Sequence, residues 1–311
     1  MATLICGSLA YDNIMTFQGR FRDHILPEQV HILNVSFLVP TMRREFGGCA
    51  GNIAYALKLL GGDPRIMATL GEVDAQLYLD RMANLGLSRE HVVVVPQAYS
   101  AQAMITTDLD NNQITAFHPG AMMQSHLNRA DEAKDVKLAI VAPDGYDGMR
   151  QHTEKLAAAG VPFIFDPGQA LPLFTPEALR QAIELATYVA VNDYEAKLVS
   201  NKTGWSTEEI ASRVKALVVT RGEEGAQIHH SGRCEEIPVV PAARVVDPTG
   251  CGDAFRGGLI FGIENGLDWA TTGRLASLMG SLKIEESGPQ NYAPSRSEIE
   301  VRFKQAFGYS L

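Results

Sequence analysis

From about residue 138 onward, short runs of apolar and β-branched residues alternate with helix-length stretches, and few folds tolerate that rhythm. Leu138–Ala142, Phe163–Phe165, Tyr188–Val191 and Leu217–Thr220 read as buried strands. The intervals carry helical patterns: a stretch that Gly160 closes at Ala159, then Pro176–Ala186, Tyr194–Ser200 and Thr207–Val214. Strands this short and this apolar, separated by helices, pack as βαβ units into a mostly parallel central sheet flanked by helices. Such a sheet holds ligands beyond the carboxyl ends of its strands. Thr3–Cys6 is read as a further buried strand.

The first third behaves differently. Gln29–Arg44 and Ala101–His118 look extended, and Asp108-Leu-Asp-Asn-Asn112 supplies a turn in the middle of the second. These strands are expected to form a small β-sheet lid, contributed by about residues 13–45 and 97–120 and inserted into one α/β domain spanning 1–311.

Composition removes several function classes. The net charge of −9, without any Lys/Arg-rich block, disfavours nucleic acid as the partner. No apolar run reaches membrane-spanning length, and Gly7 interrupts the opening strand too early for a secretory segment. Four cysteines without paired spacing (Cys6, Cys49, Cys234 and Cys251) suit a reducing compartment, so a cytoplasmic protein is expected.

The most informative stretch is Val245-Val-Asp-Pro-Thr-Gly-Cys-Gly-Asp-Ala-Phe-Arg-Gly-Gly258. Phe255, Gly258, Leu259, Gly262 and Ile263 fall on one helical face, and Gly266 suits a stop. Gly250, Cys251 and Gly252 then sit at a helix N-terminus, where N–H groups lack intrahelical partners and the dipole is positive. Such a loop suits a phosphoryl group, with Asp253 in reach of the same point. The pattern is neither G-x-x-x-x-G-K-[ST] nor G-x-G-x-x-G, which excludes a P-loop and a Rossmann fingerprint.

Asp247-Pro-Thr-Gly-Cys-Gly-Asp253 resembles the D-T-x-G-[AC]-G-D signature of the PfkB, or ribokinase-like, family of sugar and nucleoside kinases, with Pro248 where threonine is usual. The resemblance implies that Asp253 is the catalytic base and that the amides of Gly250, Cys251 and Gly252 form an anion hole. Gly47, Gly48 and Asn52 match the family's G-G-x-x-x-N, and Gly7-Ser-Leu-Ala-Tyr-Asp12 is similar to its G-x-x-x-x-D. Both imply ribose recognition, since one carboxylate accepts from two vicinal hydroxyls at once. Cys49 stands where ribokinases often have lysine, which argues against free ribose as acceptor.

Asn192-Asp-Tyr-Glu195 resembles the family's N-x-x-E, implying that Asn192 serves the nucleotide and Glu195 Mg²⁺; the same spacing also suits a helix capping box. Thr220, Gly222 and Gly225 resemble its T-x-G-x-x-G nucleotide segment, and Asn291 lies where members close over adenine. In several members a monovalent cation such as K⁺ binds beside the anion-hole loop, where Asp247 would be the nearest carboxylate. Phe37, Leu38, Phe117 and Met122 are apolar lid residues suited to a purine face, or simply to lid packing. His118 and Asp166 have no required catalytic role in this reading.

The expectation is therefore a ribokinase-like α/β kinase that uses ATP and Mg²⁺ on the primary hydroxyl of a small-molecule nucleoside, with adenosine foremost, acting as a monomer or homodimer. Free ribose or fructose, a non-catalytic nucleoside or sugar sensor and a dinucleotide-dependent dehydrogenase are the alternatives. The last lacks its fingerprint.

Overall fold

The computed structural model describes residues 2–25, 34–110 and 112–311. In chain order it begins with β1 (Ala2–Cys6), β2 (Ala10–Thr16), β3 (Thr41–Gly47), α1 (Cys49–Leu59), β4 (Pro64–Gly71), α2 (Ala75–Asn84) and β5 (Ser88–Val95). The hairpin β6 (Ala101–Thr107) and β7 (Gln113–His118) follows, then β8 (Val136–Val141), α3 (Tyr146–Ala158), β9 (Phe163–Phe165), α4 (Pro176–Leu185) and β10 (Tyr188–Asn192). Next come α5 (Asp193–Thr203), α6 (Thr207–Ala211), β11 (Ala216–Thr220), β12 (Ala226–His230) and β13 (Arg233–Ile237). Three helices close the chain: α7 (Cys251–Glu264), α8 (Trp269–Ile284) and α9 (Arg296–Phe307).

The apolar runs form a nine-stranded sheet in the order β13-β12-β11-β10-β9-β8-β1-β4-β5. It is parallel from β11 to β5, and only β12 runs the opposite way, pairing antiparallel with β11 and with β13 at one edge. Both faces are covered. One cluster centres on Ile5, Ile53, Ile140 and Leu259, the other on Leu4, Val141, Phe165 and Val191, which is why these strands are apolar on both sides instead of alternating. The architecture is the expected α/β class: a large, mostly parallel sheet flanked by helices, with a separate smaller one.

The smaller sheet has the order β3-β2-β6-β7. Its hairpin turns where Asp108 gathers the N–H groups of Asp110 and Asn112 on one carboxylate oxygen. Three expected boundaries move. The sheet takes up the chain already at Ala10, because β2 pairs in parallel with β6 from Ala10↔Ala101 onward. The extended segment expected to end at Arg44 runs to Gly47, held by Ala10↔Gly47 pairing; its residues 29–33 lie outside the described part. Helix α6 stops at Ala211, three residues before the expected Val214. No helix among the described residues is long and apolar enough to cross a membrane.

Candidate active site

Parallel pairing sets the carboxyl ends of the strands along one edge, and the candidate residues follow those ends. Thr220 ends β11, Asn192 ends β10, Asp166 follows β9, and Gly7 and Ser8 follow β1. Helices α1 and α7 lie side by side on one face, both starting at this edge. Their contact is close because Gly257 has no side chain: a Cβ there would sit 2.5 Å from Ala56 Cβ. That packing joins the two glycine motifs. Asn52 on α1 donates from Nδ2 to Asp253 Oδ2 on α7 at 2.8 Å, across 201 residues of sequence.

Asn52 is itself oriented. Its Oδ1 accepts from Gln290 Nε2 at 3.0 Å, and the same nitrogen lies 3.0 Å from the Tyr78 hydroxyl, which donates to Gly47 O at 2.7 Å. An amide nitrogen carries two hydrogens, so Asn52 keeps one donor for a ligand. Gly48 caps α1 at φ 85°, and a Cβ there would lie 2.5 Å from Ser8 O; the second motif glycine is thus a backbone requirement.

At the start of α7, Gly250 takes the left-handed φ of 82° and Cys251 N–H closes a turn on Pro248 O at 3.1 Å. The N–H groups of Gly250, Gly252 and Asp253 have no acceptor among the described residues, as the first turn of a helix requires. A Cβ on Gly252 would meet only the Arg256 guanidinium, 4.0 Å away. The space over Gly252 is therefore open, and free amides with a positive dipole end face it.

Asp253 is half-buried, and the desolvation of its carboxyl pushes it up to about 7; the nearby Asp166 charge adds to this, while the Asn52 hydrogen bond, Arg256 and the Cys49 thiol oppose it. Burial also pushes that thiol well above its ordinary value, so Cys49 stays neutral. Beneath lies an ion pair the sequence did not announce: Arg256 Nε to Asp166 Oδ2 at 2.9 Å, with side chains only 6% and 7% exposed. Arg256 follows Asp253 by three positions, one helical turn, and that spacing was the available signal. Asp166, given no required role from the sequence, is the counter-charge of this arginine.

Asp12 in β2 faces the same region, with Asp12 Oδ2 2.6 Å from where a Gly47 Cβ would stand. Burial, helped by the charges of Asp247 and Glu45, pushes its carboxyl up to about 6. Asp247 behaves oppositely. Burial acts to raise it, but N–H groups of Gly288 and Thr249, each 2.9 Å away, outweigh this and hold it below the usual carboxylate range.

The Asn192–Glu195 pair forms a complete capping box on α5, with Asn192 N donating to Glu195 Oε2 at 2.8 Å and Glu195 N to Asn192 Oδ1 at 2.7 Å. Burial raises the Glu195 carboxyl, Asn192 N–H lowers it and Asp166 raises it again. Gly222 and Gly225 follow β11 in a 3-10 turn, with φ of 57° and 84°. Asn291 Nδ2 is engaged by Glu45 Oε2 and Ser287 O, both at 2.8 Å, so it ties the 287–291 loop to β3. Phe117, 54% exposed, stands on the outer strand of the small sheet, and Phe37 packs against Phe17 and Phe21 at 4.8 and 5.0 Å between ring centres.

Comparison with known proteins converges on one group. The pfkB family carbohydrate kinase profile matches residues 12–296. A nucleoside kinase of Methanocaldococcus jannaschii is 30% identical over 275 residues, covering 88% of this chain and 90% of that one. A Burkholderia thailandensis nucleoside kinase solved with inosine is 74% identical, with a TM-score of 0.91 and 99% of each chain covered. The same protein solved with ADP and inosine gives 76% identity and a TM-score of 0.89, covering 99% of this chain and 97% of that one.

Proposed function

Because the chain belongs to the pfkB family of carbohydrate kinases, we propose that it transfers the γ-phosphoryl group of ATP to the 5′-hydroxyl of a purine nucleoside, with adenosine and inosine as acceptors. It is a phosphotransferase with an alcohol acceptor, of the nucleoside kinase type. The observation that carries the finer reading is the Asn52–Asp253 contact beside the free amides of Gly250 and Gly252. It supports reading Asn52 as a ribose ligand and Asp253 as a base beside an anion site. Inosine and ADP bound to the 74–76% identical protein support a nucleoside acceptor and an adenine nucleotide donor.

In this reading Asp12, Gly48 and Asn52 hold the ribose, and Asp253 takes the proton of the 5′-hydroxyl as its oxygen attacks phosphorus in line. The amides of Gly250 and Gly252 take the charge of the transferred group, while the expected third donor, Cys251 N–H, is committed to Pro248 O and shapes the turn; positioning and electrostatics supply most of the acceleration. Asn192, Thr220, Gly222, Gly225 and Asn291 line the nucleotide side, and Phe117 flanks the nucleoside side where the small sheet acts as a lid that excludes water.

Among the described residues no three His, Cys, Asp or Glu side chains form a metal cage. Mg²⁺ needs none, since it keeps water ligands and phosphate oxygens. Glu195 fits that role: its Oε2 accepts the Asn192 N–H, which leaves Oε1, without a partner among the described residues, for a water of the ion's shell. Mg²⁺ would neutralise phosphate charge there.

ATP consumption with adenosine, inosine, ribose and fructose tests the reading. Nucleosides are expected to turn over and free sugars poorly; preference for ribose or fructose would reverse it. Gly252→Ala is a second check. The new methyl has room in the fold but enters the phosphoryl space, so kcat should fall about 100-fold at unchanged melting temperature.

A further inference from the structure

Lys283, in the last turn of α8, is completely buried, with 0% exposure. Lysine is almost never fully buried unless its charge is matched, because desolvating an ammonium is costly. Its Nζ donates to two backbone carbonyls, Asp247 O at 2.7 Å and Glu286 O at 2.9 Å. Those carbonyls belong to the two loops that frame the anion site. Asp247 begins the turn leading to Gly250 and Gly252. Glu286 begins the segment whose Gly288 N–H donates to Asp247 Oδ2 and whose Gln290 orients Asn52. Two more bonds stitch the loops, from Val246 N and Asp247 N to Ile284 O at 2.9 and 3.2 Å.

Carbonyl oxygens converging on one positive centre are what a desolvated monovalent cation requires, and the family resemblance implies such an ion beside this loop. The residues here do not fit one. The Asp247 carboxylate already accepts the N–H groups of Thr249 and Gly288, its carbonyl is held by Lys283, and a second cation would stand against an ammonium.

We propose that the Lys283 ammonium is a tethered replacement for that ion, a positioning residue that fixes both loops from behind, so that turnover needs no K⁺ or Na⁺. It touches no reacting atom and acts through the Asp247 and Glu286 carbonyls. The proposal rests on the kinase reading, and its test separates the two. Inosine phosphorylation is measured with Tris-ATP and magnesium in tetramethylammonium buffer, then with added KCl, NaCl or NH₄Cl, for the wild type, Lys283→Ala and Lys283→Met.

Wild-type turnover by itself upholds the kinase reading; turnover in tetramethylammonium that KCl does not raise is the result expected here. Lys283→Ala should lose about 10–100-fold in kcat, with K⁺ or NH₄⁺ restoring much of it. Its melting temperature should rise with K⁺ more than with tetramethylammonium. Lys283→Met fills the space without charge and should be rescued by neither salt. Several-fold activation of the wild type by K⁺ would overturn the proposal, even if neither variant folds. A folded Lys283→Ala that is fully active, or that no cation rescues, would also overturn it.

Discussion

The Asp253→Asn variant is expected to bind ATP and nucleoside normally while kcat falls by ~10²–10⁴-fold, the loss typical of removing a general base. Asparagine keeps the size of the side chain and can still accept from Asn52, so the loss isolates basicity from shape. Isothermal titration beside steady-state rates separates binding from turnover; a near-normal kcat would remove Asp253 from the chemistry. In the wild type the carboxyl ionises at about 7, raised from 3.8 chiefly by burial. In the proposed mechanism the reactive form is the carboxylate, so activity should rise with pH through that value.

Linkage fixes the sign of the stability effect. Between pH 4 and 7 the folded protein holds a proton that the unfolded chain gives up, so this group makes stability fall as pH rises across that window. Above it the whole cost is present. Asparagine avoids it, so the variant should gain melting temperature over the wild type as pH is raised from 4 to 8. A dead but more stable protein is the expected signature of a site that trades stability for reactivity.

Arg256→Met should have the largest effect on folding. It leaves the Asp166 carboxylate buried with its partner removed, and breaking such a pair costs about 3–5 kcal/mol. The double variant Asp166→Leu, Arg256→Met removes both charges and should recover most of that loss. The activity limb reports separately. Arg256 helps hold the Asp253 carboxyl down and Asp166 pushes it up, so the single variant shifts the pH profile upward and the double variant shifts it less. Urea unfolding at fixed pH gives the first quantity, rate profiles the second. A loss for Arg256→Met of only about 0–1 kcal/mol, as for an exposed pair, would contradict this account of the pair.

What the sequence disclosed and what it hid divide along sequence separation. Phe163–Phe165 was legible to the residue as β9 because a parallel strand buried on both faces must be apolar throughout. The helix ended by Gly160 and the hairpin around Asp108 were legible through turn chemistry local to each. Asn192 and Glu195 were legible as a capping box for the same reason. The motif glycines marked both helix N-termini. Contacts between distant segments were not legible. Asp166 and Arg256 are 90 residues apart, and Gln290 and Asn52 are 238 apart. A lysine ending a helix ordinarily faces water and the helix dipole, so nothing local marks Lys283 as buried. The small sheet began earlier than expected because β2 owes its extent to pairing with β6 and β3 rather than to its own pattern.

The most direct test is a structure of the protein with a nucleoside, ADP and a trigonal mimic of the migrating phosphoryl group. The expected result has the nucleoside 5′-oxygen about 2.6–3.2 Å from an Asp253 carboxylate oxygen, and the mimic on the amides of Gly250 and Gly252. A 5′-oxygen turned away from Asp253, beyond reach of even one bridging water, would contradict the account.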